Sequence, residues 1–382
     1  MRNFILLFAL AILLAVPLPL DAAGTEQDQV EHNVLVRAKV LKVVKEVQPP
    51  QGDFHFAGAQ QVTVEISEGP LKGKILQVEN YLSGISALDI DYFPGDRVIL
   101  SLDLENGQVT AAYLADLARD SQLLYLTAFF VLLLLAIGGF KGLKAVITLG
   151  ITAMGVLYVL IPGLLKGHDP VWLSILVAAG VTIITLLVVG GVNQKSIAAI
   201  LGTVGGTLMA GICAKLAISA GRLSGLGLEE AQMLQYIPQE IIFNYQGLLF
   251  AAMIIGAIGA IMDVGMSIAS AIQEIYLANP KQSLWDLYKS GLNVGRDIIG
   301  TMSNTLILAY TGSTLPLLLL IAAHDQPLIK IINLDMIASE VVRALAGSIG
   351  LILAVPITAA CASLLVRRQK KARTSQGDFW SG

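Results

Sequence analysis

The sequence predicts an all-α polytopic membrane bundle of about eight transmembrane helices, joined to a small extracytoplasmic β-barrel or OB-like domain. Three observations predict it. The 382-residue chain is 55% hydrophobic and 14% charged, with a mean hydropathy of +0.72, whereas a soluble domain is about 45–50% apolar and about 25% charged. From residue 122 onward, apolar runs long enough to cross a bilayer follow one another. Residues 24–120 instead alternate apolar and polar over short stretches broken by turn residues, the period of half-buried strands.

Residues 4–20 (FILLFALAILLAVPLPL) follow Arg2 and form the first apolar run. It fits a signal peptide or a first span. About 17 residues is the lower limit for spanning, and the Asp21-Ala22-Ala23-Gly24 tail matches an A-x-A cleavage site poorly. A retained anchor over residues 1–23 is the favoured reading. In residues 24–120, the expected strands are 34–40, 61–66, 74–78, 97–104 and 109–114. Gly69, Pro70 and Gly73 mark one hairpin, and Asn106-Gly107 marks another with the strongest short turn signal. Five strands in so short a stretch fit a small barrel or sandwich.

The remaining spans are expected at 122–140, 143–161, 171–191, 196–220, 247–273, 298–322 and 338–366, within a membrane domain of residues 121–366. Each can cross a core about 30 Å thick at about 1.5 Å per residue. Residues 367–382 form a tail. Residues 281–292 and 228–243 mix apolar and polar positions as helices lying in the interface do; the alternative for each is a loop tucked on the bundle. If the spans alternate, Lys141, Lys144, Lys195, Lys281, Lys289, Arg296 and the Arg367–Arg373 cluster fall on one side. That side is then cytoplasmic. The C-terminus is expected inside, the β domain outside, and the whole chain in a bacterial inner membrane.

Net charge is −3 and no basic patch stands out, so nucleic acid is not an expected partner. Cys213, Cys361 and the four histidines lack metal-ligand spacing, and HExxH, GxxxxGK[ST] and GxSxG are absent. No metal, cofactor or enzymatic activity is expected.

The chemistry concentrates in the membrane. Asp263 lies near the middle of the apolar stretch 247–273, which contains no basic residue. A carboxylate there costs about 2.5–3.5 kcal/mol on insertion scales, so an ionisable residue at that depth reads first as a proton, ion or substrate site. The bland alternative is a protonated carboxyl bonded to a neighbouring helix. Asp263, Ser267 and Ser270 share one helix face with Gly256 and Gly259 on or near it. Small residues there fit a face covered by protein rather than lipid. In the next span Thr301, Asn304 and Thr305 share a face, and Asn304 or Thr305 is expected near the depth of Asp263 as a hydrogen-bond partner. Secondary candidates are Asp297, read as a first-turn helix acid, Glu274 at the cytoplasmic end, and Glu340 with Arg343, read as a neutralising pair at the membrane edge. Ala198, Gly202, Gly206 and Ala210 recur at every fourth position as a close-packing ridge.

The blocks GAIGAIMDVGMSIASAIQE, GRDIIGTMSNTLILAY and EVVRALAGSIGLILAVPITA, with the FPGDRV element at 93–98, resemble the YibE/F family of bacterial membrane proteins. That resemblance implies a multi-span membrane protein and little chemistry. Residues 171–366 also resemble, more weakly, one half of a resistance-nodulation-division permease or a SecD/SecF subunit, through Gly259, Asp263, Glu274 and the 281–292 linker. This second resemblance implies proton coupling at Asp263. The chain departs from it in two extra spans, a small β domain and the lack of a lysine partner. The expected function is a proton- or ion-coupled transporter or export factor for an unknown small solute, ion or exported substrate, working in the lipid bilayer. The alternative is a membrane scaffold whose β domain binds an envelope protein.

Overall fold

The computed structural model describes residues 32–46, 58–85, 87, 89–105, 108–237, 241–324 and 327–377. The first apolar segment and the Asn106-Gly107 turn lie outside them. The chain divides into two compact units that meet in sequence at Leu133 and Leu134.

The first unit is an antiparallel sheet of β1 (His32–Glu46), β2 (Gly58–Ile66), β3 (Ile75–Leu82), β4 (Arg97–Glu105) and β5 (Gln108–Leu117). Its order is β3-β2-β1-β4-β5, and β3 comes back beside β5, so the sheet nearly closes into a barrel. Every expected strand falls on one of these five. β1 is the 15-residue centre, pairing with both β2 and β4, and its register with β2 shifts between Val40 and Lys42. An extra residue at such a point bends the strand and increases its twist, which helps it serve two flanks. Alternate side chains point inward, and Val40, Val62, Val64, Ile66, Val98 and Leu100 are buried there. The FPGDRV element is a turn. Gly95 takes a φ of 99° and its N–H donates to the Val40 carbonyl (2.9 Å), while the Asp96 carboxylate accepts from the Phe93 N–H (2.8 Å). The left-handed φ is why glycine stands there.

One buried polar side chain organises this interior. Gln60 is 1% exposed. Its Oε1 accepts from Asn80 Nδ2 (3.0 Å) and the Tyr92 N–H (3.1 Å), and its Nε2 donates to Asp91 (2.9 Å). Gln60→Leu strands those partners, which costs about 1–3 kcal/mol. The melting temperature of the β unit should fall by roughly 4–8 °C per kcal/mol lost; an unchanged melt would show that the network contributes nothing. Asp89 ties the neighbouring loop. Desolvation pushes its carboxyl up, but the N–H groups of Ser83 and Gly84 and the Ser83 hydroxyl outweigh that and hold it below the usual carboxylate range.

The helical part runs through α1 (Asp120–Leu165), α2 (Pro170–Gly190), α3 (Gln194–Ala220), the short α4 (Glu229–Met233), α5 (Tyr245–Ala278), α6 (Leu284–Ser313), α7 (Leu315–Ala323), the short α8 (Leu328–Ile332) and α9 (Asp335–Gly377). Among the described residues, five of these elements are long and apolar enough to cross a membrane, or six with the α6–α7 pair, which bends by 63°. The expected number of about eight counted residues 1–23, outside the described chain, and gave α1 two spans. That 46-residue element is indeed broken: Gly139 has φ 52° and ψ −128°. A Cβ on Gly142 would overlap the Leu134 carbonyl oxygen, although residues eight apart on a straight helix lie about 12 Å apart. The chain therefore turns sharply at Gly139, and the expected spans 122–140 and 143–161 fall on the two arms.

The segment 281–292 is not a separate interface helix. Residues 284–292 form the first turns of α6, capped by the Ser283 hydroxyl, which accepts from the Asp286 N–H (3.1 Å). In 228–243 only α4 and one following turn are helical among the described residues, closer to the loop alternative. For 281–292 the cause is that apolar periodicity marks a helix but not where it joins its neighbour.

The centre of the helical unit is α3 against α9, with α5 packed on both. Ala198, Gly202, Gly206 and Ala210 are buried, as the ridge predicted, and the last three meet Gly350, Ala354 and Thr358 of α9. Backbones approach this closely only over side chains of one carbon or none.

Candidate functional site

The register of α5 against α6 sets the depth of each polar group. A Cβ on Gly256 would lie 2.6 Å from the Tyr310 hydroxyl, and one on Gly291 would lie 2.5 Å from Ile272 Cδ1. These two contacts place Asp263 level with residues 300–303, so Asn304 and Thr305 lie within about one helical turn of it in depth. The same register places Asp297 level with residues 266–269. Since α6 begins at Leu284, Asp297 sits several turns inside the helix. The first-turn reading is corrected because the linker and the span are one helix.

On α5, the buried side carries Met253, Ile254, Ala257, Ile261, Val264 and Ile268. The opposite side carries Ala252, Gly256, Gly259, Asp263, Ser267 and Glu274, all exposed in the chain, with Ser270 half-buried beside them. Nearly every member of this stripe is small or polar. From Ala252 to Glu274 it rises through 22 residue steps, about 33 Å at about 1.5 Å per residue, against a hydrocarbon core about 30 Å thick. Asp263 is its midpoint.

Asp263 makes no hydrogen bond or ion pair with any described residue. The expected partners are nearby in depth but are not bonded to it. Thr305 Oγ1 donates to the Thr301 carbonyl (2.9 Å) and Thr301 Oγ1 to the Ile298 carbonyl (3.0 Å), both within α6. Asn304 is exposed, and Ser303 beside it has a buried hydroxyl with no partner among the described residues. The chain thus gathers Asp263, Ser267, Ser270, Asn304, Thr305 and Asp297 in one depth band without closing them into a network.

Glu340 and Arg343 do form a pair. Arg343 donates to Glu340 Oε1 at 2.9 Å, with side chains only 11% and 16% exposed for the glutamate and arginine. Burial this deep is more than an edge pair needs. Tyr310 lies near them, and its hydroxyl is buried without a partner among the described residues. Ser339 and Tyr310 were missed in the sequence. A serine beside a membrane glutamate, and a tyrosine inside GRDIIGTMSNTLILAY, were the available signals.

A cavity of about 440 Å³ lies elsewhere, between α2, α3 and α5, and Asp263 does not line it. Much of its polar lining is engaged in caps and loops: Asp169 accepts from the Val171 N–H (2.9 Å) and Gln246 donates to the Leu223 carbonyl (2.8 Å). Among the described residues no three His, Cys, Asp or Glu side chains gather as metal ligands do.

Neither a curated protein nor a solved structure matches the chain. Two family descriptions do. The YibE/F family N-terminal domain matches residues 36–117, the β unit, and the YibE/F-like protein matches residues 126–368, which hold the helices. With more than half of its length matched, the chain belongs to the YibE/F family.

Proposed function

We propose that this chain is a proton- or ion-coupled transporter or export factor of the bacterial inner membrane, with Asp263 as the carboxylate that takes up and releases the charge. In this reading the β domain lies outside the cytoplasm and the C-terminus inside, following the lysine and arginine bias of the loops. One observation supports it above the rest. Asp263 stands at the midpoint of an uncovered, small and polar helix face as long as the membrane is thick. Left against lipid it would cost several kcal/mol, so in the membrane that face meets water or another protein surface. Ser267 and Ser270 toward Glu274, and Gly259 toward Ala252, leave room for water on both sides of the acid. Asn304 and Thr305 supply donors at its level.

The test is proton uptake by proteoliposomes after an acid jump, read with an entrapped pH dye under a potassium–valinomycin clamp. Wild-type protein should acidify the lumen, and Asp263→Asn should return the rate to that of protein-free liposomes. Equal uptake by both proteins would sink the proposal.

The scaffold reading draws on a different observation: Leu35, Ile75, Phe93 and Tyr113 are exposed apolar side chains of the β unit. A β domain tethered to any single span would then restore function in cells lacking the full chain.

A further inference from the structure

A cavity of about 260 Å³ lies at the start of α5 and α9, roofed by the loop that carries α4. Its walls include Leu234, Leu248, Leu249 and Met336, with Ser339, Glu340 and Arg343 on one side. Ala252, the end of the α5 stripe, lines it as well. The loop is pinned to α9 by Asp335, whose carboxylate accepts from the Ser224 N–H (3.1 Å) and hydroxyl (2.7 Å).

Ser339, Glu340 and Arg343 of this wall each carry one polar atom that is buried and unused among the described residues: Oγ, Oε2 and Nε respectively. Ser339 is 5% exposed. Native structures leave few such atoms, and each calls for a partner. Leaving one unmade costs about 1–3 kcal/mol, more for a charged group. The three differ in kind. Glu340 Oε2 accepts and carries negative charge. Arg343 Nε donates and carries positive charge. The serine hydroxyl does both. A ligand that satisfies them places an ammonium against Glu340 and a carboxylate against Arg343, and its remainder meets leucine and methionine.

We infer that this cavity binds a small zwitterion with an apolar side chain, of the size and chemistry of an aliphatic amino acid. The complementarity decides the class. A simple cation leaves Arg343 Nε unmade, a simple anion leaves Glu340 Oε2 unmade, and a sugar leaves the apolar wall bare. The inference deepens the transport reading and rests on it for any step after binding, since Ala252 joins the cavity to the stripe that holds Asp263. Occupancy itself does not need transport to occur.

The experiment is equilibrium binding to the full-length protein in nanodiscs, with L-leucine, leucinol and 4-methylpentanoate as probes. Leucine should bind saturably. Leucinol, which lacks the carboxylate, and 4-methylpentanoate, which lacks the amine, should bind at least about tenfold more weakly, because each leaves a buried charged group unpaired. Glu340→Gln should lose leucine binding. As that change also strands Arg343 and can unfold the helix, Ala231→Phe serves beside it: it fills the cavity from the roof and leaves the ion pair alone. Loss of leucine binding in folded Ala231→Phe supports the site. No binding to wild type, equal binding of leucine and leucinol, or undiminished binding to Ala231→Phe overturns it. Binding with Asp263→Asn unaltered and no proton uptake by any variant would leave the site standing and remove the transport reading. Proton uptake without leucine binding would do the reverse.

Discussion

Gly206→Leu should leave no folded protein after extraction into detergent. Gly206 sits where α3 crosses α9, and even a Cβ there would lie 2.6 Å from the Ala354 Cβ, 2.7 Å from the Gly350 carbonyl oxygen and 3.1 Å from Ile261 Cγ2. Two of these obstacles are backbone or as rigid as backbone, so no rotamer change relieves them. The helices must separate. Overpacking typically costs about 1–3 kcal/mol and sometimes more; a side chain of four carbons at this crossing belongs at the upper end. The loss spreads, because Gly202 and Ala210 on the same ridge lose their contacts with α9 when the helices part. Association in a membrane relies on such packing, since lipid supplies no hydrophobic drive between helices. The readout is the monodisperse fraction on size exclusion and the melting temperature of what remains. A Gly206→Leu protein that elutes and melts like wild type would mean that α3 and α9 do not cross here.

That crossing was legible in the sequence because small residues at every fourth position have one principal use in an apolar helix. The β unit was legible for the same kind of reason. A period of two with turn residues between the runs placed all five strands, and only their pairing order had to come from the fold. The joints between helices were not. Residues 281–292 and 298–313 carry separate apolar patterns, but nothing in either pattern says that Ser283 caps one helix through both. Asp297 was misjudged as a consequence, because its place in the helix depends on where the helix begins. Gly139 behaved in the opposite way, since the expected spans 122–140 and 143–161 already parted close to the break that the backbone makes there. The candidate site was half legible. Spacing put Asp263, Ser267 and Ser270 on one face, and antiparallel geometry put Asn304 and Thr305 near that depth. Exposure of the whole face depends on which side of α5 meets α3 and α9, and α5 offers small residues on both sides. The buried atoms around Glu340 depend on a loop more than a hundred residues away in sequence, which no local pattern reports.

Gly259→Leu should have the opposite profile from Gly206→Leu: a protein that folds at least as well as wild type and moves no protons. A Cβ on Gly259 meets nothing within 4 Å, so the leucine side chain extends from α5 without disturbing the described chain. Within a helix the exchange of glycine for leucine is favourable by as much as about 1 kcal/mol. The melting temperature should therefore hold or rise. Gly259 is, however, one turn from Asp263 along the stripe, on the side of Gly256 and Ala252. Four carbons there replace the space through which water or a partner surface reaches the carboxylate from that end. Proton uptake should drop to the rate of protein-free liposomes, as in Asp263→Asn, with the acid itself still present. Gly312→Leu is the matched control, because a Cβ there also meets nothing within 4 Å and the residue lies at the end of α6, away from the depth of Asp263. If Gly259→Leu takes up protons at the wild-type rate, the stripe is not the route, and Asp263 must exchange its charge by another path. If it fails while Gly312→Leu succeeds, the loss is tied to the stripe and not to added bulk. A glycine that fits more than one side chain, beside a carboxylate that has no partner among the described residues, is then kept for the space it leaves open.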